Sequence, residues 1–207
     1  MKENNIAKTD ELLLIFTRNP EKGKVKKRLA QRIGDEAALK VYNYLLQHTV
    51  AITRPLSVEK WVYYSEKLPE EDIWEKDVFR KKLQQGQDLG QRMEQAFSEA
   101  FKSGYKKVVI IGSDLFDMEE ADLKMAFLTL EDHEYVVGPA QDGGYFLLGM
   151  KKPTPQLFKN KDWSTSRVFD QTLGNLEQEK LKLLPVRNDI DTFEDMRSHP
   201  ELMKLID

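Results

Sequence analysis

An α/β sandwich with a mixed, mostly parallel sheet is the fold this sequence predicts, and three observations predict it. Apolar runs of strand length recur, most clearly at residues 12–16 and 108–111. Segments with apolar residues at helical spacing separate them, which is the alternation of a βα architecture. Near residue 140 two strand-like segments follow too closely for a crossover helix, so that junction is antiparallel or a direct bend.

Taken in order, Leu12-Leu13-Leu14-Ile15-Phe16 is a strand buried on both faces, since it has no polar alternation. A polar loop spans 18–28. Residues 36–46 place Ala37, Ala38, Val41, Leu45 and Leu46 on one helical face. Trp61-Val62-Tyr63-Tyr64 forms a second strand. Residues 69–87 are charged and irregular, a flap or insertion anchored by Ile73, Trp74, Val78 and Phe79. Asp88 is an N-cap for a helix whose stripe is Leu89, Met93, Ala96, Phe97, Ala100 and Phe101, and Gly104 stops it. The strand 108–111 follows, then a helix through Leu123, Ala126, Phe127 and Leu130. Segments 135–140 and 145–150 are strands, 168–176 is helical, 181–186 strand-like and 193–205 helical. Without repeats or low-complexity segments, one domain over 1–207 is expected.

Composition narrows the function classes. A hydrophobic share of 40% supports a core, so the 32% of charged residues describe a surface rather than disorder. A net charge of −3 gives no general attraction to nucleic acid. No cysteine is present, which excludes disulfides and thiolate metal sites. The first ten residues are polar and no apolar stretch reaches the ~18–20 residues of a membrane span, so a cytoplasmic protein is expected.

Five segments are candidates for chemistry. Val108-Val109-Ile110-Ile111 breaks at Gly112-Ser113 before Asp114, which sets a carboxylate at the carboxyl edge of the sheet, where ligands bind in open α/β folds. Asp114 there is either a Mg²⁺ or Mn²⁺ ligand or, with Ser113 and Asp117, a cap for the next helix. The loop after the first strand carries basic residues at Lys22, Lys24, Lys26, Lys27 and Arg28 around Gly23: a polyphosphate cradle or a solvated basic turn, but neither a Walker A loop nor a G-x-G-x-x-G fingerprint. Gly138, Gly143, Gly144 and Gly149 around Asp142 exceed what a hairpin needs, and predict a backbone that approaches a ligand. Trp163-Ser164-Thr165 reads as an N-cap, and Asp189-Ile190-Asp191-Thr192 as a cap or as paired acids able to hold a hard cation. His48, His133 and His199 match no metal or triad spacing and read as surface or loop residues, while Trp61 and Trp74 read as core or flap packing.

In this order these blocks resemble a known family. They are Phe16-Thr17-Arg18-Asn19-Pro20 with residues 23–29, Gln85-Gly86-Gln87-Asp88-Leu89-Gly90-Gln91-Arg92-Met93, Ile111-Gly112-Ser113-Asp114, residues 138–149, Trp163-Ser164-Thr165, and residues 189–195. The family is the bacterial transferase group often found beside radical-SAM and selenium-related genes, placed among nucleotide-diphospho-sugar transferases of the GT-A type. The likeness spans about residues 12–197, and no single block carries it. It implies a Rossmann-like GT-A domain, a three-layer α/β/α sandwich that binds a nucleotide in the first-strand loop and a divalent metal at Asp114. It also allows kinship with guanylyl- and cytidylyltransferases. Two departures from the family stand out: Lys27 stands where a threonine is usual, and Leu115-Phe116 where Cys-Pro is usual.

The function this implies is transfer of a glycosyl group from a nucleoside-diphosphate sugar to a small-molecule acceptor, with Mg²⁺ or Mn²⁺. Asp114 and Asp191 are the candidate metal ligands and Asp142 the candidate catalytic residue, with Asp189 and Asp191 lesser candidates for that role or for a second metal contact. Arg18, Lys24, Lys26, Arg28, Asp88, Arg92, Gly143 and Gly144 are the candidate nucleotide and phosphate contacts. Nucleotidylyl transfer from an NTP is the first alternative, and a non-catalytic nucleotide-binding protein the second. Neither nucleic acid nor membrane is expected as a partner.

Overall fold

Leu12, Leu13, Leu14 and Ile15 are all fully buried because successive side chains enter two different cores. In the computed structural model, which describes residues 9–176 and 178–206, this run lies in β1 (Glu11–Thr17). The other strands are β2 (Glu59–Tyr64), β3 (Arg80–Leu83), β4 (Lys107–Ile111), β5 (Tyr135–Pro139), β6 (Tyr145–Met150) and β7 (Leu181–Leu183). They form one sheet in the order β3-β2-β1-β4-β6-β5-β7, in which β6 alone runs against its neighbours.

Helices cover both faces. On one, Leu13, Ile15, Val62, Val109 and Val136 pack under α2 (Asp35–Thr53) and α4 (Glu120–Asp132). On the other, Leu12, Leu14, Tyr63, Ile110 and Leu148 pack under α3 (Leu89–Lys102). The result is the expected Rossmann-like three-layer α/β/α sandwich with a mixed, mostly parallel sheet. A third, smaller core joins α1 (Lys27–Ile33) and α2 to the C-terminal segment through Leu29, Val41, Leu45, Ile190, Met196 and Leu202. A short α5 (Val168–Gly174) precedes β7, and α6 (Phe193–Arg197) and α7 (Pro200–Met203) end the chain. Among the described residues, no helix is long and apolar enough to cross a membrane.

Several local expectations change. The stretch 69–87 contains an edge strand, β3, parallel to β2. Its sequence, Arg80-Lys81-Lys82-Leu83, has no apolar period because edge strands are commonly charged, and Lys82 lies 3.8 Å from the Trp61 ring. The C-terminal helix is two, split at His199-Pro200, since a residue before proline avoids the helical region. His48 is not in a loop but half-buried on α2, its Nε2 2.8 Å from the Met118 carbonyl, and His133 and His199 are half-buried as well.

Candidate active site

The strand order fixes where a ligand would sit. From β1 the chain moves outward to β2 and β3 on one side, whereas β4 lies on the other side of β1 and leads to β6, β5 and β7. The crevice between the carboxyl ends of β1 and β4 is therefore the topological switch point, the usual ligand position in open α/β sheets. Arg18 follows β1 there, and Asp114 follows β4. The helix after Asp114 begins six residues later, at Glu120, with Glu119 as N-cap and the Asp122 carboxylate accepting from the Glu119 N–H at 2.9 Å. Asp114 is thus not the cap of that helix.

Lys26 occupies the centre of the crevice. Its Nζ donates to Asp114 Oδ2 and to Asp191 Oδ1, both at 2.9 Å, and its side chain is 3% exposed. Burial opposes its charge, but the two carboxylates outweigh burial and hold the ammonium pKa above its usual range. The same ammonium lowers the Asp114 pKa. Lys26 has a left-handed backbone (φ 46°) at the N-cap of α1, an uncommon state for a side-chain-bearing residue. Buried Val25 and Leu29 anchor the loop on either side and hold it there.

The second carboxylate is positioned by a strand-like alternation. Ile190 is fully buried in the small third core, so Asp189 and Asp191 turn to the opposite face, toward the crevice. The Ile190 N–H donates to the Asp114 carbonyl at 3.4 Å, tying this segment to the end of β4. Thr192 caps α6, and Asp195 Oδ2 accepts from the N–H groups of Asp191 (3.2 Å) and Thr192 (2.7 Å). Capping falls to Thr192, and Asp191 is left for Lys26. Burial, with the carboxylates of Asp191, Asp114 and Asp142, pushes the Asp189 pKa up to about 6.

Two cavities meet at this point. One, of about 630 Å³, carries the cations Arg18, Lys24, Lys26, Lys27, Arg28 and Arg92. The other, of about 460 Å³, opens over β4 and β6 and contains Asp142 and Asp189 among mainly apolar side chains. Phe16, Arg28, Leu89, Asp114, Ser164 and Asp191 border both.

Most predicted site residues gather here, with three exceptions. Asp88 accepts from Gln91 N–H at 2.8 Å as the N-cap of α3, and lines neither cavity. Gly143 lines neither: its φ of +85° makes the turn, and a Cβ on it would lie 2.3 Å from the Ser166 carbonyl oxygen. Lys24 lines the cationic cavity but is already paired with Glu21 (2.7 Å) and Glu66 (2.9 Å). The glycine-dense block also divides. A Cβ on Gly138 would meet the Phe146 ring at 2.5 Å, and one on Gly149 would meet Val136 at 2.6 Å. These glycines answer to packing, and the expectation of ligand approach survives only at Gly144, which borders the apolar cavity beside Asp142. Asp142 Oδ1 accepts from the Gly144 N–H at 2.8 Å and shapes that turn. Thr165 does not cap α5 as expected: Arg167 is its N-cap, with Thr165 Oγ1 accepting from Arg167 N–H at 3.3 Å.

Sequence reasoning missed a hydroxyl cluster. Thr17, Tyr42 and Ser113 hydrogen-bond one another at 3.1–3.4 Å, and the Tyr42 oxygen accepts from the Arg18 N–H at 2.9 Å. This buried network locks the ends of β1 and β4 together and so sets Arg18 against Asp114. Gln84 was missed too: it donates to the Thr17 and Tyr63 carbonyls and accepts from Arg92. Ser164, singled out in the sequence only as part of a cap segment, borders both cavities and is left-handed like Lys26 (φ 65°).

Two carboxylates that converge on one point, 41% and 38% exposed, fit a hard divalent cation that completes its shell with water and phosphate oxygens. Among the described residues no group of three or more acidic, histidine or cysteine side chains is placed around a metal-sized point, so substrate oxygens would have to supply the remaining ligands.

Fold and crevice together define the Rossmann-like α/β class to which nucleotidyl and sugar transferases belong. Over residues 49–165 the sequence matches the family described as uncharacterized protein conserved in bacteria (DUF2064), and the chain belongs to that family. A protein provisionally named a nucleotide-diphospho-sugar transferase, from Desulfovibrio desulfuricans G20, is 30% identical; the match covers 89% of this chain and 83% of that one, with a TM-score of 0.80. Two more distant structures share the fold. A cytidylyltransferase from Leptospira borgpetersenii is 18% identical, with coverage of 90% and 83% and a TM-score of 0.57. Rv0371c from Mycobacterium tuberculosis H37Rv, in complex with manganese, is 13% identical, with coverage of 93% and 99% and a TM-score of 0.56. No curated protein matches the sequence.

Proposed function

We propose that this chain is a Mg²⁺- or Mn²⁺-dependent glycosyltransferase that takes a nucleoside-diphosphate sugar and a small-molecule acceptor. One observation carries the reading: Asp114 and Asp191 converge on a single point at the switch crevice, directly beside a cavity lined by cations. The 30% identical relative supports the donor class, and the manganese complex of a fold relative suits the metal. Asp114 and Asp191 would hold the ion, which when bound neutralises charge on the diphosphate leaving group.

The chain's own side chains do the rest. Arg18, Lys27, Arg28 and Arg92 orient the diphosphate as fixed cations. Lys26, between these carboxylates and the cationic cavity, would add its charge to the hold on the phosphates, and with an ion bound at Asp114 and Asp191 its ammonium would no longer be needed to balance both acids. Asp142, exposed at the tip of the β5–β6 turn, faces the acceptor side and takes the proton of the attacking hydroxyl, with Asp189 beside it. One domain over 1–207, a cytoplasmic setting and the association with radical-SAM and selenium-related genes belong to the same proposal.

Nucleotidylyl transfer is a second reading, favoured by the charge of the cationic cavity. Six cations face the acids Glu66, Asp114 and Asp191 there, a surplus that suits a triphosphate. Incubation with separate panels of nucleotide sugars and NTPs, with Mg²⁺ or Mn²⁺ and with chelator, decides. Release of nucleoside diphosphate from a sugar donor is expected; release of pyrophosphate from an NTP would replace the first reading with the second. Binding without turnover of either panel would leave a nucleotide-binding protein.

A further inference from the structure

We propose that the compartment over β4 and β6 takes an acceptor with an apolar, preferably aromatic body and an uncharged or cationic character, and rejects phosphorylated or carboxylated acceptors. Its transfer step rests on the glycosyl-donor reading above, but its binding preference does not.

The walls argue for the apolar body. Phe16, Met93, Tyr145, Phe146, Trp163 and Val168 surround about 460 Å³, enough for a ring and a short chain. Trp163 stands against the first turn of α3, where a Cβ on residue 90 would lie 2.5 Å from the indole, so Gly90 makes room for the aromatic wall. Among the described residues the partner of the Tyr145 hydroxyl is Met93 Sδ at 3.8 Å, a weak acceptor that leaves this hydroxyl free to meet a polar group of the acceptor.

The charges argue against an anionic acceptor. Asp114, Asp142, Asp189 and Asp191 border the compartment, and among the described residues Arg28 is its single cation. That guanidinium is 68% exposed and already 3.7 Å from Asp191. A divalent ion between Asp114 and Asp191 would still leave Asp142 and Asp189 facing it alone. Phosphate or carboxylate on an acceptor would be brought beside like charge in a partly apolar space, which costs binding twice, through repulsion and desolvation. The neighbouring cationic cavity has the opposite character, so the two substrates are sorted by charge. In the transfer, the acceptor hydroxyl oxygen forms a bond to the anomeric carbon and the bond from that carbon to the diphosphate oxygen breaks. Its electron pair leaves with the nucleoside diphosphate, and the hydroxyl proton passes to the Asp142 carboxylate.

Calorimetric titration of the full chain tests this with four probes: 4-ethylphenol, tyramine, 4-hydroxyphenylacetate and glucose 1-phosphate. The first two should bind at least about tenfold tighter than 4-hydroxyphenylacetate, the scale of one close like-charge contact. Glucose 1-phosphate should not bind in this compartment, so Trp163→Ala should leave any heat it gives unchanged. The same variant should abolish 4-ethylphenol binding and leave the titration with UDP and Mg²⁺ unaltered. Asp142→Asn keeps the turn's hydrogen bond and should narrow the gap between tyramine and 4-hydroxyphenylacetate. Equal or tighter binding of 4-hydroxyphenylacetate, absence of 4-ethylphenol binding, or an unchanged gap in Asp142→Asn would overturn the proposal. Loss of nucleotide binding with phenol binding intact would overturn the donor reading instead.

Discussion

The loop after β1 and the turn between β5 and β6 face each other across the crevice, and they became candidates in different ways. The loop stood out by charge, the turn by glycine. In the loop, the charge is used: Lys26 is buried against two carboxylates, and Arg18, Lys27 and Arg28 line the cationic cavity. In the turn, most of the glycine is not used at the site: Gly138 and Gly149 relieve side-chain crowding, and Gly143 makes a left-handed turn. A buried lysine needs a partner, because an unpaired ammonium in the interior is too costly to keep, so its burial points to a specific arrangement. Glycine has several independent causes, and its density names none of them.

The largest effect that could break this contrast comes from the carboxylates Lys26 touches. Asp114→Asn keeps an oxygen acceptor for the lysine, so the fold should hold. On the proposed metal role of Asp114, the substitution should nevertheless lower metal-dependent turnover by about two to three orders of magnitude, the equivalent of several kcal/mol of transition-state charge stabilisation. Unchanged Mn²⁺-dependent nucleotide binding in calorimetry would remove Asp114 from the metal site.

Lys26→Met acts on the same triad from the other side. It leaves Asp114 and Asp191 with no buried cation between them and only the exposed Arg28 guanidinium 3.7 Å from Asp191, and should destabilise the protein in chelator by about 1 kcal/mol, less than a fully buried pair because both carboxylates are more than a third exposed. Added Mn²⁺ should then raise the melting temperature more in the variant than in the parent, because the ion no longer competes with the ammonium. A smaller rise in the variant would mean that lysine and metal do not share a position.

Much of this site is legible in the chain itself. Asp114 at the end of an apolar strand, the basic loop and the acids at 189 and 191 are each visible as residue types in order, and the fold follows from runs and periods. Whatever depends on tertiary partners is hidden. The Thr17–Tyr42–Ser113 network joins residues up to 96 positions apart, and no local pattern announces it. β3 is invisible because an edge strand of Arg80-Lys81-Lys82 has no buried face to leave a period. The fate of Asp88 is half legible: its capping role shows in the spacing, whereas its absence from both cavities does not.

The two adjacent glycines of the turn sharpen the contrast at a smaller scale. Gly143→Ala forces a side chain into a left-handed backbone and against the Ser166 carbonyl, which should cost about 2 kcal/mol or more in denaturant unfolding. Gly144→Ala meets no more than the Asp142 carboxylate, at 3.1 Å, and should lose less than about 1 kcal/mol of stability while weakening whatever binds beside Asp142. Similar stability losses in both would mean that the turn has no ligand-facing position.

The smallest effect belongs to Lys24, and it tests how far the cationic cavity extends. Its ammonium is half exposed and shared between Glu21 and Glu66, both of which are also at the surface. Surface pairs of this kind contribute little to folding, so Lys24→Ala should leave the denaturant midpoint essentially unchanged. Its removal should weaken nucleotide binding only a few-fold, and the deficit should shrink at high salt, because an exposed charge acts through screened attraction. Loss of Arg18 should weaken binding more, because its backbone N–H is tied to the Tyr42 hydroxyl between the ends of β1 and β4, which sets its exposed guanidinium at the head of the cationic cavity near Asp114. Equal deficits would place both cations at the rim, and would leave Lys26 as the cation that defines the crevice.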